Sequence, residues 1–282
     1  MKYAGIVCCS NPMPEKLRKE IRILENVLSE CGVKTQFSEC MYQEDIGIYS
    51  GKSRADALME LYRAPDISEI FDVFGGDMAN QLLPYLDFDL IGKSGKRFWG
   101  YSDLTVILNA IYTKTGASSI LYQIRNVLKD ETGVQKAQFE SFLRGGDDLF
   151  AFPYRFVQGD RMEGVVIGGN IRCFLKLAGT PYFPDLRGKI LLLEALGGEL
   201  PQMITYLSQL EQLGTFRKIS GVILGTFTKL EQNGDGAVLE QLVKEYTGHE
   251  IPIIKSGRIG HGVDSAAVCI GGCYEFSEDS PK

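Results

Sequence analysis

The chain has 282 residues, 44% hydrophobic and 23% charged, and its 30 Lys and Arg against 36 Asp and Glu leave a formal charge of −6. That balance suits a water-soluble globular protein of one large domain or two ordinary ones, and it excludes a surface built to neutralise nucleic-acid phosphates or an anionic membrane. With two histidines in the whole sequence, His249 and His261, imidazole acid–base chemistry has two candidates and a zinc site has little to build on.

Tyr3–Cys9 is too short for a signal-peptide core and reads as a first buried strand. Pro14 then opens a helix with apolar positions Leu17, Ile21, Leu24, Leu28 and Cys31, and Gly32 stands where a C-cap glycine would. Val33–Phe37 reads as a strand, Ser53–Ala64 as a helix, and Ile70–Phe74 and Phe98–Tyr101 as strands. Leu104–Thr115 is a helix closed by Gly116, and Ser119–Tyr122 a further strand. Short apolar runs alternating with amphipathic stretches predict βαβ units and a mostly parallel sheet, hence an α/β fold.

The pattern weakens between Asn126 and Arg161, where Gly145, Gly146, Asp147 and Asp148 mark a junction. Strands are expected again at Val165–Ile167, Lys189–Glu194, Gly221–Thr226, Ile251–Lys255 and Ala266–Gly271. Helices are expected at Ile171–Ala178, with Asn170 as N-cap, at Pro201–Leu213 and at Ala237–Tyr246. No apolar run is long enough to span a bilayer. The seven cysteines are odd in number and include no C-x-x-C pair, which argues against a disulfide framework or zinc ribbon and for a reducing cytoplasm.

Both G-K-S strings, at 51–53 and 92–94, lack the upstream glycine of a Walker loop, and Gly234-Asp235-Gly236 lacks the third glycine of a dinucleotide fingerprint. Ser102, in F-W-G-Y-S-D-L-T (98–105), stands at a turn from strand into helix. A hydroxyl there is presented above the sheet edge, beside free helix N–H groups that favour developing negative charge, although the same position suits a simple N-cap. Gly75 and Gly76 end the preceding strand and can bring backbone N–H groups to a ligand, or merely turn the chain. Glu194 ends an apolar run, where a carboxylate is costly unless paired or opened to a cleft. His261 lies in the Gly-rich loop Ser256–Asp264, whereas His249 follows a helix end whose dipole it would complement. Ser102, Glu194 and His261 follow the nucleophile, acid, histidine order of α/β-hydrolases.

The strings G-G-D-M-A-N-Q-L-L-P-Y-L-D-F-D-L-I (75–91), F-W-G-Y-S-D-L-T (98–105), G-G-N (168–170) with A-G-T-P-Y (178–182), G-K-I-L-L-L-E (188–194) and I-G-H-G (259–262) resemble the LD-carboxypeptidase family of serine peptidases. Its members include muramoyltetrapeptide carboxypeptidases and microcin C self-immunity peptidases. The resemblance implies a Rossmann-like domain at 1–125 with helices on both faces of a parallel sheet, a junction at 126–162, and a domain at 163–282 with a barrel-like β core. It implies a Ser102-Glu194-His261 triad, an oxyanion hole from the backbone N–H groups of Asp103, Gly76 and Asp77, and no metal or organic cofactor. The implied activity is release of terminal D-Ala from murein tetrapeptides by a cytoplasmic homodimer, with a small peptide as partner and neither nucleic acid nor membrane. A terminal carboxylate calls for a cation, and Arg125 and Arg258 are the candidates. Two departures flank the pocket: G-G-D-M (75–78) where recycling enzymes usually have G-G-Y-G, and Y-Q-I-R-N (122–126) where Y-G-P is common. N-Q-L-L-P-Y-L-D and G-H-G-x-D-S look closer to the microcin-immunity branch. Two alternatives follow, an amidase acting on aminoacyl-nucleotide conjugates and a catalytically silent peptide-binding relative.

Overall fold

A computed structural model describes residues 2–42 and 50–278. The first part contains β1 (Lys2–Val7), α1 (Arg18–Glu30), β2 (Val33–Phe37), α2 (Gly51–Arg63), β3 (Ile67–Asp72), α3 (Phe88–Ser94), β4 (Arg97–Gly100), α4 (Thr105–Thr115) and β5 (Ser119–Leu121). Next come α5 (Asn126–Lys129), α6 (Val134–Leu143), β6 (Arg155–Gln158), β7 (Arg161–Asn170), α7 (Ile171–Leu175), β8 (Lys189–Ala195) and α8 (Leu200–Gln212). The chain finishes with β9 (Gly221–Phe227), α9 (Thr228–Gln232), α10 (Gly236–Thr247), β10 (Ile253–Lys255), β11 (Val268–Ile270) and β12 (Cys273–Ser277).

These elements build an α/β fold on two six-stranded sheets. The first has the order β11-β5-β4-β3-β1-β2, parallel throughout except at β11. The second, β12-β7-β8-β9-β10-β6, curls into a half-barrel with parallel strands at its centre and antiparallel ones at its edges. Central strands such as β8 and β9 are buried along nearly their whole length, which is why they read as unbroken apolar runs. One strand changes sides: β11, late in the chain, pairs antiparallel with β5 in the first sheet, so the stretch from 163 onward contributes to both sheets. The stretch 126–162 carries α5, α6 and the edge strand β6. No helix among the described residues is long and apolar enough to cross a membrane.

Helix α4 fastens the two sheets together. Asn109 Nδ2 donates to the Gly168 carbonyl at 2.9 Å, and the Gly168 N–H donates back to Asn109 Oδ1 at 2.9 Å. One turn earlier, the Asn170 N–H donates to Thr105 Oγ1 at 3.0 Å. Gly169, with φ +131°, is required by this approach, because a Cβ there would lie 2.7 Å from Thr105 Oγ1. The G-G-N string is thus a docking surface for α4, and it brings the C-terminal end of β4 beside the ends of β7 and β8.

Candidate active site

Beyond β4 the chain turns through Tyr101 into a short 3-10 turn, Ser102–Leu104, before α4 begins. Ser102 has φ +56° and is the one non-glycine among the described residues with positive φ, a conformation that costs on the order of 1–3 kcal/mol. The turn closes tightly because Gly100 has no side chain: a Cβ there would fall 2.7 Å from that of Leu104. Leu104 occupies the N-cap position of α4, so Ser102 is a presented hydroxyl and the simple capping alternative falls away.

Glu194, near the end of β8, is 2% exposed. Its Oε2 accepts from His261 Nδ1 at 2.6 Å, and its Oε1 accepts from Asn170 Nδ2 at 3.0 Å. An ionised carboxylate only accepts, so the imidazole proton sits on Nδ1 and Nε2 carries a lone pair. His261 Nε2 is buried without a hydrogen-bond partner, and the ring rests against Tyr101 with centroids 4.9 Å apart. Ser102 and His261 both wall a cavity of about 530 Å³, together with Gly75, Gly76, Arg125 and Arg172. His249 is exposed, beyond the Gly248 C-cap of α10, and does not line the cavity. Among the described residues no group of three or more His, Cys, Asp or Glu side chains is placed to hold a metal ion.

Two family models account for most of the chain: the LD-carboxypeptidase N-terminal domain matches residues 4–122 and the LD-carboxypeptidase C-terminal domain residues 163–276. The chain belongs to the LD-carboxypeptidase family. It is therefore a serine carboxypeptidase by family. A probable murein peptide carboxypeptidase of Bacillus subtilis is 28% identical across 95% of this chain and 86% of its own length. The microcin C7 self-immunity protein MccF of Escherichia coli is 29% identical across 74% of this chain and 71% of its own. The solved structure of MccF in complex with glutamyl sulfamoyl guanosine superposes with a TM-score of 0.84 at 22% identity, covering 99% of this chain and 96% of that one, which shows a shared fold.

In this family member the loop after β3 lies against the serine, with a Cβ built on Gly75 falling 3.5 Å from the Ser102 Cβ. Gly76 has φ +151°, and a Cβ there would collide with the Asn11 side chain. Asp77 departs from the expected role: its N–H donates to Asn11 Oδ1 at 2.9 Å and is spent within the protein. The turn at Gly76 points that group at the β1 loop. The N–H groups of Gly76 and Asp103 remain as candidate oxyanion donors. Arg258 also departs, because its Nε donates to the Asp264 carbonyl at 2.7 Å and the side chain does not line the cavity. Arg125 reaches the cavity wall, but its guanidinium is held by Glu20 at 2.6 and 2.9 Å and by the Val73 carbonyl.

Several supporting side chains carry no motif in the sequence. The fully buried Asp103 carboxylate accepts from Ser10 Oγ at 2.6 Å, the Ala79 N–H at 2.8 Å and Lys176 Nζ at 2.5 Å. It thereby ties the serine turn to the loop after β1, to the segment that follows the glycine loop and to the residue after α7. Asp72, the last residue of β3, accepts from the Cys9 N–H at 2.6 Å and the Phe74 N–H at 3.0 Å. Asp72 ends β3 and Asn11 lies in the loop beyond β1, on the side of a parallel sheet where such folds place their sites, and that position is the signal that could have found them.

Burial pushes the Asp72 carboxyl up to about 7, against the pull of its two backbone bonds. A carboxyl that holds its proton more tightly when folded stabilises the fold fully below about pH 4, and the contribution is lost as pH rises toward 7. Asp72→Asn carries no titrating proton. Its unfolding free energy is expected to gain on the wild type by up to about 4 kcal/mol between pH 4 and pH 7. Urea midpoints across that range measure this, and a difference that stays flat would exclude it.

Proposed function

We propose that the chain is a cytoplasmic, homodimeric serine carboxypeptidase that hydrolyses an L,D-amide bond in murein-derived tetrapeptides and releases the terminal D-Ala. The observation that carries the reading is the buried, unpartnered His261 Nε2, in a ring held by Glu194 on the same cavity wall as the strained Ser102. His261 Nε2 takes the Ser102 proton as the hydroxyl oxygen attacks the scissile carbonyl. Glu194 fixes the ring's tautomer and stabilises the imidazolium, and Asn170 steadies Glu194 from its other oxygen. The Gly76 and Asp103 N–H groups stabilise the oxyanion. The imidazolium then protonates the leaving amine, and water, deprotonated by the same histidine, releases the acyl group from Ser102. The odd number of cysteines, seven with no C-x-x-C pair, supports a reducing compartment.

A second reading, an amidase acting on aminoacyl-nucleotide conjugates, is favoured by the likeness to MccF and by Phe74, Tyr101 and Tyr206 on the cavity wall, where aromatic faces suit a nucleobase. A release assay on murein tetrapeptide and on glutamyl sulfamoyl adenosine, each with Ser102→Ala as control, separates the readings. The expected result is Ser102-dependent release of D-Ala with the nucleotide conjugate left intact. Cleavage of the conjugate alone overturns the first reading, and binding without turnover of either supports a silent peptide-binding relative.

A further inference from the structure

If the scissile bond joins the last residue, only two backbone atoms, N and Cα, separate the scissile carbonyl from the substrate's carboxylate carbon, which lies within roughly 4 Å of it. The cation that receives it must stand beside Ser102 and the glycine loop. Lys176 does not line the cavity, and its ammonium is taken by the Asp103 carboxylate and the Asp77 carbonyl. Arg125 lines it with a side chain only 9% exposed that is committed to Glu20. Arg172 is different. It lines the cavity with 40% of its side chain exposed, and it lies against the glycine loop, donating to the Gly76 carbonyl at 3.4 Å and to the Asp77 carboxylate. Asp77 is itself 65% exposed, so this pair is solvated and its exchange for another carboxylate costs little. The guanidinium has five N–H donors in a fixed fork, matched to a carboxylate.

We propose that Arg172 is the specificity-determining cation that binds the substrate's terminal carboxylate, with Asp77 occupying it in the free chain and yielding it to the substrate. This rests on the carboxypeptidase reading above. A peptide ending in a carboxamide keeps the shape and lacks the charge, so it isolates the contact.

The test compares L,D-tetrapeptides ending in a free acid or an amide, in wild type, Arg172→Gln and Arg172→Lys, by turnover and, in a Ser102→Ala background, by binding of a fluorescent peptide. Wild type is expected to prefer the acid. Arg172→Gln should raise KM and Kd for the acid by roughly tenfold or more while leaving the amide unchanged, and Arg172→Lys should restore part of the preference. A merely structural role would instead lower kcat on acid and amide alike, and that outcome overturns the proposal. If wild type turns over the acid and its preference survives Arg172→Gln, the proposal fails and the carboxypeptidase reading stands. If wild type turns over neither peptide but the Ser102→Ala chain still prefers the acid through Arg172, the binding site stands and the carboxypeptidase reading fails. Absence of both turnover and binding overturns the two together.

Discussion

Ser102→Ala is expected to lower kcat on the natural amide by roughly four to six orders of magnitude, with substrate binding and the unfolding transition left near wild type. The alanine keeps the backbone and loses only the hydroxyl, and the Glu194–His261 pair persists because it does not depend on Ser102. His261→Ala should cost a comparable factor, since no other imidazole lines the cavity. Glu194→Gln is informative in a different way: its amide would donate to Nδ1, drive the proton onto Nε2 and so remove the base, a loss of roughly 10⁴-fold. His249→Ala should fall within about twofold of wild type, because the residue is exposed and does not line the cavity. Single-turnover hydrolysis and labelling by a serine-directed phosphonate check these together. A Ser102→Ala chain that retains turnover, or an inactive His249→Ala, would remove Ser102 and His261 from the mechanism.

The second large effect concerns stability. Asp103→Ala takes the counter-charge from a Lys176 ammonium only 20% exposed, which among the described residues keeps just the Asp77 carbonyl, and leaves the Ala79 N–H and the Ser10 O–H without an acceptor. Removing one member of a buried pair typically costs about 3–5 kcal/mol, and the partial exposure of Lys176 places the expected loss near the lower end. Denaturant midpoints measure it. Adding Lys176→Met to Asp103→Ala should recover part of the loss, because the stranded charge goes with it. A loss below about 1 kcal/mol in the single variant would mean that water replaces the carboxylate and that Asp103 is not the tie between loops described above.

How much of this was legible in the sequence follows from how each part is encoded. Strands buried on both faces announce themselves as apolar runs, so β8 and β9 differ from their expected ranges by one residue each; β2, an edge strand with one buried residue, matches its range because Gly32 ends the helix before it. The edge strands β6 and β12 were missed because they are largely accessible and carry Arg, Gln and Glu among their apolar residues. Short α3 and α5 lack the length for a periodic pattern, and α6 lacks a continuous apolar stripe, its buried side being Gln135, Phe139 and Phe142. At the site, Ser102, Glu194 and His261 could be picked out because each stands at a strand end or in a glycine-rich turn. Their supports could not: Asp103 meets Ser10 from 93 residues away, and Asn11 meets the Asp77 N–H from 66. A lone polar residue declares no partner until the topology supplies one. The same blindness led to Arg258, whose guanidinium is absorbed by its own loop, and hid Arg172 inside a helix chosen for its N-cap.

The strand that changes sides decides which parts of the molecule can be exchanged. His261 sits on the segment between β10, which belongs to the second sheet, and β11, which belongs to the first. The imidazole is thus carried on a stitch between the two sheets, and Asn126 Nδ2 donates to the Gly262 carbonyl from the first side at 3.3 Å. The halves of such a molecule are not interchangeable parts. A chimaera that joined residues 1–162 of this chain to the remainder of a distant relative would have to pair a foreign strand with Ser119–Leu121, and any slip in that pairing would be felt at the histidine. A working exchange would have to carry β5 and β11 together, because each is the other's pairing partner.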